Sequence, residues 1–188
     1  MKKYEIKLEG NDLVWNRMKR EIEQERKLLK KNEITEYEEK YWLKKAETNN
    51  GNLVIPISWV KSVLINAAKQ TRLIPHFETN KKATYTRYVQ AMHISLDDPI
   101  VAGKVEDVER QEGFYSSQPG KQNSGKVWKI FPKLNKWDAK FVIIDPQGRM
   151  LKNELNILLE HAGNFIGIGD QRGYGFGRFD VVSIKEVK

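Results

Sequence analysis

The 188-residue chain carries 33 lysines and arginines against 25 aspartates and glutamates, a formal net charge of +8. That excess points to a polyanionic partner, either nucleic acid or an anionic membrane. Cysteine is absent, which excludes disulfides and thiolate-bound metal. The longest apolar runs, such as Phe141-Val142-Ile143-Ile144, are too short to span a bilayer. Met1-Lys2-Lys3-Tyr4-Glu5 turns at once into charged alternation instead of an apolar leader core. The expectation is a soluble, cytoplasmic protein with no membrane partner.

From Lys3 to Glu9, Tyr4, Ile6 and Leu8 alternate with charged residues, which predicts a half-buried strand. Val14, Met18 and Ile22 then recur every four residues, so 12–31 reads as a helix, densely charged toward its end. Tyr37, Tyr41, Trp42 and Leu43 lead to a turn cluster at Thr48-Asn49-Asn50-Gly51-Asn52. Leu53-Val54-Ile55 follows, and Asn-Gly between apolar runs is a hairpin signal. Pro56 ends the strand, and Ser58 is placed to cap a helix. Trp59, Val60, Val63, Leu64, Ala67 and Ala68 form the apolar stripe of that helix, which ends near Arg72. Residues 75–88 are polar and basic without a period. Val89 to Leu96 reads as a strand. The glycine- and serine-rich stretch 102–126 reads as a long mobile loop or an extended hairpin. Val127–Phe131 and Ala139–Asp145 read as two strands. Leu151, Leu155, Leu158, Leu159 and Ala162 predict a second amphipathic helix, stopped by Gly163, and Arg178–Val187 a closing strand. The core order is β-α-β-β-α-β, which is ferredoxin-like and α+β. It forms one domain with insertions at about 12–52 and 102–126, and one sheet face is left available to a ligand.

The densest chemical signal runs from Gly167 to Phe179. Five of the 13 glycines, Gly167, Gly169, Gly173, Gly175 and Gly177, fall there within a few turns of chain. Glycine permits positive φ and close approach of backbone to a ligand. Clustered amides bind anions, Arg172 and Arg178 match phosphate, and Tyr174 is available to stack on a base. A helix precedes this segment and a strand follows, the reverse of a dinucleotide fingerprint. It also lacks the Gly-Lys-Ser/Thr of a Walker loop. No cofactor is expected.

Two stretches resemble one family. His161–Val181, HAGNFIGIGDQRGYGFGRFDV, is similar to the C-terminal glycine-rich motif of the RAMP superfamily of CRISPR-associated proteins. Val54–Gln70, VIPISWVKSVLINAAKQ, is similar to that superfamily's first-helix motif. Size and layout come nearest the crRNA-binding backbone subunit of effector complexes, or a phage or mobile-element relative. The resemblance implies a ferredoxin-like or RNA-recognition-like palm with inserted thumb and fingers. It also implies single-stranded guide RNA as the ligand, self-association or other effector subunits as partners, and a role in antiviral defence. It places the loop Gly167–Gly177 on backbone phosphates, Lys61 toward the strand or a neighbouring subunit, and the thumb in 102–126.

Basic-aromatic clusters independently fit single-strand binding. Lys81, Lys82 and Arg87 lie with Tyr85 and Tyr88. Lys121 lies in a second cluster with Phe114 and Tyr115, and Lys129, Lys133 and Lys136 in a third with Trp128. DNA remains the alternative to RNA. Metal-independent RNA cleavage needs a positioned acid and base. Of His76, His93 and His161, only His76 is a candidate, since His93 alternates within a strand and His161 lies at a helix C-terminus. No metal-ligand cluster is evident. The reading is therefore non-catalytic. The alternatives are a metal-independent endoribonuclease of the same superfamily and a mobile-element scaffold protein that binds no nucleic acid.

Overall fold

The computed structural model describes residues 1–16, 24, 28–30, 33–78, 85–94, 100–116 and 126–187. Its main sheet is antiparallel. Strand β1 (Lys2–Val14) lies between β7 (Lys126–Asp145) and β8 (Phe179–Val187), and β4 (His93–Ile94) pairs with the far edge of β7. The order β4-β7-β1-β8, with helix α2 (Ile57–Thr71) after β1 and helix α4 (Lys152–His161) after β7, is the ferredoxin-like arrangement. The alternation in β1 sets the register. Tyr4, Ile6 and Leu8 are buried together with Phe141 and Ile143 of β7, Val60, Val63, Leu64 and Ala67 of α2, and Leu155, Leu158 and Leu159 of α4. The two helical stripes thus cover one face of the sheet.

A smaller sheet joins β2 (Thr48–Asn49), β3 (Asn52–Ile55) and β5 (Ile100–Lys104). Asn50 and Gly51 connect β2 to β3 at φ of 48° and 78°, the paired positive angles of a tight hairpin turn. Helix α1 (Ile34–Tyr41) and the short turn Trp42–Lys45 pack on β7. Glu38 and Lys45 are fully buried there as an ion pair. Lys45 also donates to the Ile130 carbonyl at 2.6 Å, and the Ile130 amide donates to Glu38 at 2.9 Å.

Several expectations change. Residues 12–14 belong to β1, not to a helix, because Leu13, Val14 and Trp15 are all buried in the extended run. Most of the rest of that expected helix lies outside the described residues. In place of a strand from Val89 to Leu96 there is a short helix, α3 (Thr86–Ala91), and then the two-residue β4. Tyr85 and Val89, four apart and both buried, carry the helical period that alternation concealed. The two strands expected at Val127–Phe131 and Ala139–Asp145 are one 20-residue strand. Its first half pairs with β6 (Glu109–Ser116) and its second with β1. Residues 102–116 are strand and turn, while 117–125 lie outside the described residues. Pro56, not Ser58, occupies the N-cap of α2. Gly163 does not stop α4, because the chain continues through a wide helical turn at Ala162–Ile166. A Cβ on Gly163 would lie 2.0 Å from the Phe179 carbonyl oxygen, so close packing requires glycine there.

Candidate nucleic-acid interface

The glycine-rich segment forms a loop stitched to the end of β1. The Ile168 amide donates to the Gly177 carbonyl at 2.8 Å and closes the loop. Asp170 donates to Val14 at 2.8 Å, Gly177 to Asp12 at 3.0 Å, and the Asn11 amide to Arg178 at 3.0 Å. Inside the tip, Tyr174 donates to Gln171 at 2.9 Å and Gly175 to Arg172 at 3.0 Å. These bonds consume much of the amide supply. The loop therefore presents side chains, not an unbroken run of donors.

Those side chains face a cleft of about 980 Å³. One wall is α2, through Trp59, Ser62, Asn66 and Gln70. The hairpin β6–β7 contributes Tyr115 and Lys129. The loop contributes Gly169, Asp170, Arg172, Gly173 and Tyr174, with Phe165 and Arg178 alongside. Lys129, Arg172 and Arg178 face one carboxylate, Asp170, whose oxygen accepts the Gln171 amide at 2.7 Å. Tyr174 is 67% exposed and meets Tyr115 edge-on at 5.9 Å, and Phe165 is 68% exposed. Nη1 of Arg178 is buried and has no hydrogen-bond partner among the described residues. Leaving such a donor unmade costs about 1–3 kcal/mol, and more when charged.

The open sheet face is chemically different. Lys140 pairs with Glu5 at 2.8 Å and Lys7 with Glu9 at 2.9 Å. A hollow of about 470 Å³ on this face sets Glu9, Asp138 and Asp180 beside Lys7 and Lys136. Three carboxylates repel a phosphate chain, so the cleft on the helical side is the stronger anion site.

Of the residues singled out from the sequence, Gly169, Arg172, Gly173, Tyr174 and Arg178 line the cleft together. Gly167 and Gly175 shape the loop without lining it, at φ of 76° and 87°. Lys61 turns away, its ammonium donating to the Met92 carbonyl at 3.2 Å. Arg87 lies exposed on α3, apart from the cleft. Lys81, Lys82 and Lys121 lie outside the described residues. Tyr115 and Lys129, from the second and third basic-aromatic clusters, also line it, whereas Trp59, Ser62, Asn66, Gln70 and Phe165 were not anticipated as site residues. The readable signal was the polar row at 62, 66 and 70, set beside the apolar stripe of the same helix.

His76 stands elsewhere. Its ring nitrogen Nδ1 is 3.1 Å from both Glu154 oxygens, and its amide donates to the same carboxylate at 3.1 Å. Glu154 also accepts the Leu151 amide at 2.9 Å. Burial alone would raise this carboxyl. The nearby Tyr85 hydroxyl, with hydrogen bonds from the Leu151 and His76 amides and from the His76 ring, outweighs it and holds Glu154 below the usual carboxylate value. Burial, and then the Glu154 carboxylate, push the Tyr85 phenol up. This cluster joins the turn at 75–78 to the start of α4. Among the described residues no group of three or more histidines or carboxylates is placed to hold a metal. No helix among them is long and apolar enough to cross a membrane.

Fold and site define an α+β, ferredoxin-like protein with a cationic, ring-lined cleft beside its glycine-rich loop. Comparison with known proteins extends the fold. No family model matches the chain, and no curated protein does. Among solved structures, the chain is similar to one in a cryo-EM structure of the Type III-B Cmr-beta bound to cognate target RNA. The TM-score is 0.52 at 8% identity, over 100% of this chain and 61% of that one. The chain thus spans less than two thirds of that neighbour's length, and the likeness is one of fold.

Proposed function

We propose that this protein binds single-stranded RNA, without cleaving it, in the cleft between α2 and the glycine-rich loop. We further propose that it does so as a subunit of a CRISPR-effector-like assembly in antiviral defence. The guide strand is the RNA in this reading. The whole chain acts as one RAMP-like domain whose insertions, at about 12–52 and 102–126, reach along the strand or toward neighbouring subunits. The observation that carries the proposal is that Arg178 lines the same cleft as Arg172, Lys129 and the exposed Tyr174 ring, with its Nη1 buried and without a hydrogen-bond partner among the described residues. Cations neutralise phosphates while rings stack on bases, the two parts of single-strand binding. The fold shared with a chain of an RNA-bound complex supports the same class of ligand. Cleavage is the weaker reading because His76 is held by Glu154 away from the cleft.

Affinity for single-stranded RNA, measured against salt concentration, tests this directly. Log affinity should fall linearly with log salt. Arg172→Ala and Arg178→Ala should each weaken binding about tenfold and make that slope shallower by roughly 0.7. A flat salt response, or unchanged affinity in both variants, would remove the cleft as the site.

A further inference from the structure

Phe165 lies outside the glycine-rich loop, and the fold turns its ring outward. It sits on the wide helical turn Ala162–Ile166 that follows α4. The Gly167 amide donates to the Ala162 carbonyl at 2.8 Å and closes that turn. Gly163 is pressed against the Phe179 carbonyl of β8, so its side of the turn faces the sheet. Phe165, two residues on and roughly half a turn around the axis, points the other way, and it lines the cleft. The ring is backed by His161, with centroids 4.9 Å apart at an interplanar angle of 37°. That imidazole is tied to α2, since its Nε2 is 2.9 Å from Oε1 of Gln70. The remainder of the Phe165 ring, 68% exposed, opens to the cleft. A single exposed phenylalanine needs no explanation. This one shares its cleft with the equally exposed Tyr174 ring and with Arg172 and Arg178.

We infer that Phe165 is a stacking platform for an unpaired base, with His161 as the support that holds its ring in place. Every base has a π-face, so the platform adds affinity without choosing among bases. A duplex keeps those faces stacked on one another, so the platform also favours single strands over duplex. The inference rests on the proposed nucleic-acid function. It adds a contact from the end of α4, where neither a phosphate nor a cation is involved.

Fluorescence anisotropy with a single-stranded RNA of about twelve nucleotides and with its duplex tests it. Phe165→Leu keeps an apolar side chain but removes the π-face. It should weaken single-strand binding about tenfold and narrow the preference over duplex. The slope of log affinity against log salt should stay unchanged, because no phosphate contact is lost. Phe165→Tyr and Phe165→Trp keep a ring and should keep the parent's affinity. Undiminished affinity in folded Phe165→Leu protein overturns the inference and leaves the proposed function standing. A tenfold loss in folded Phe165→Tyr and Phe165→Trp protein, or a shallower salt slope in Phe165→Leu, overturns the stacking role. Failure of the parent to bind the single strand overturns the proposed function itself.

Discussion

Gly177 and Gly173 lie four positions apart and are glycine for different reasons. At Gly177, φ is +72° and a Cβ would sit 1.8 Å from the Ile168 carbonyl oxygen, so the fold excludes any side chain. At Gly173, φ is ordinary and a Cβ would meet nothing within 4 Å among the described residues. Nothing in the packing of the described residues demands glycine there, yet the residue lines the cleft. A ligand backbone passing close by is a reason for the missing side chain. Gly177→Ala should therefore destabilise the protein by roughly 2–4 kcal/mol, through backbone strain plus overlap. Gly173→Ala should stay within about 0.5 kcal/mol of the parent in denaturant unfolding while weakening RNA binding several-fold. Unfolding curves and binding isotherms on the two variants separate the roles, and the reverse pattern would contradict them.

At the level of elements, the long strand β7 organises the molecule. Its first half carries β6, Lys129 and the seat for α1, while its second half carries the sheet core. The buried Glu38–Lys45 pair fixes α1 and the following turn against Ile130, with the Lys45 ammonium 4.9 Å from the centre of the Phe131 ring. Removing one partner of such a pair strands a charge in a dry interior. Lys45→Met should cost about 3–5 kcal/mol, read as a lowered denaturation midpoint. The double variant Lys45→Met, Glu38→Leu should recover much of that loss. If the single variant is as stable as the parent, the pair does not anchor α1.

For the whole molecule, pH dependence has an acidic and an alkaline limb. The Glu154 carboxyl titrates below its unfolded value of about 4.3. The stability it contributes is complete above that pH and is lost as pH falls through the folded value. Glu154→Gln should cost about 1–3 kcal/mol at pH 7, and the gap to the parent should narrow below about pH 4. A gap that holds constant in pH-dependent melts would rule out the carboxylate's charge as the source. On the alkaline side, burial and then the carboxylates of Glu186, Asp145 and Glu154 push the Tyr4 phenol up to about 12. Its contribution is present below about pH 10 and falls away as pH rises toward that higher value.

The sequence by itself determined the order of the core elements and the two helical stripes, because alternation and four-residue spacing record which face of each segment leaves water. It also determined the position of the glycine-rich loop. It misread 12–14 and 89–94, where a few buried residues fit either period and burial alone chose between them. The cleft was half legible. Gly169, Arg172, Gly173, Tyr174 and Arg178 sit in one segment and could be read there. Trp59, Asn66, Gln70, Tyr115 and Lys129 come from segments far away along the chain. Only the tertiary structure decided that α2 and the β6–β7 hairpin face that loop, and that Lys61 turns to Met92 instead of the cleft. Helix rotation and sheet register are set by packing against partners distant in sequence, and no local pattern encodes them.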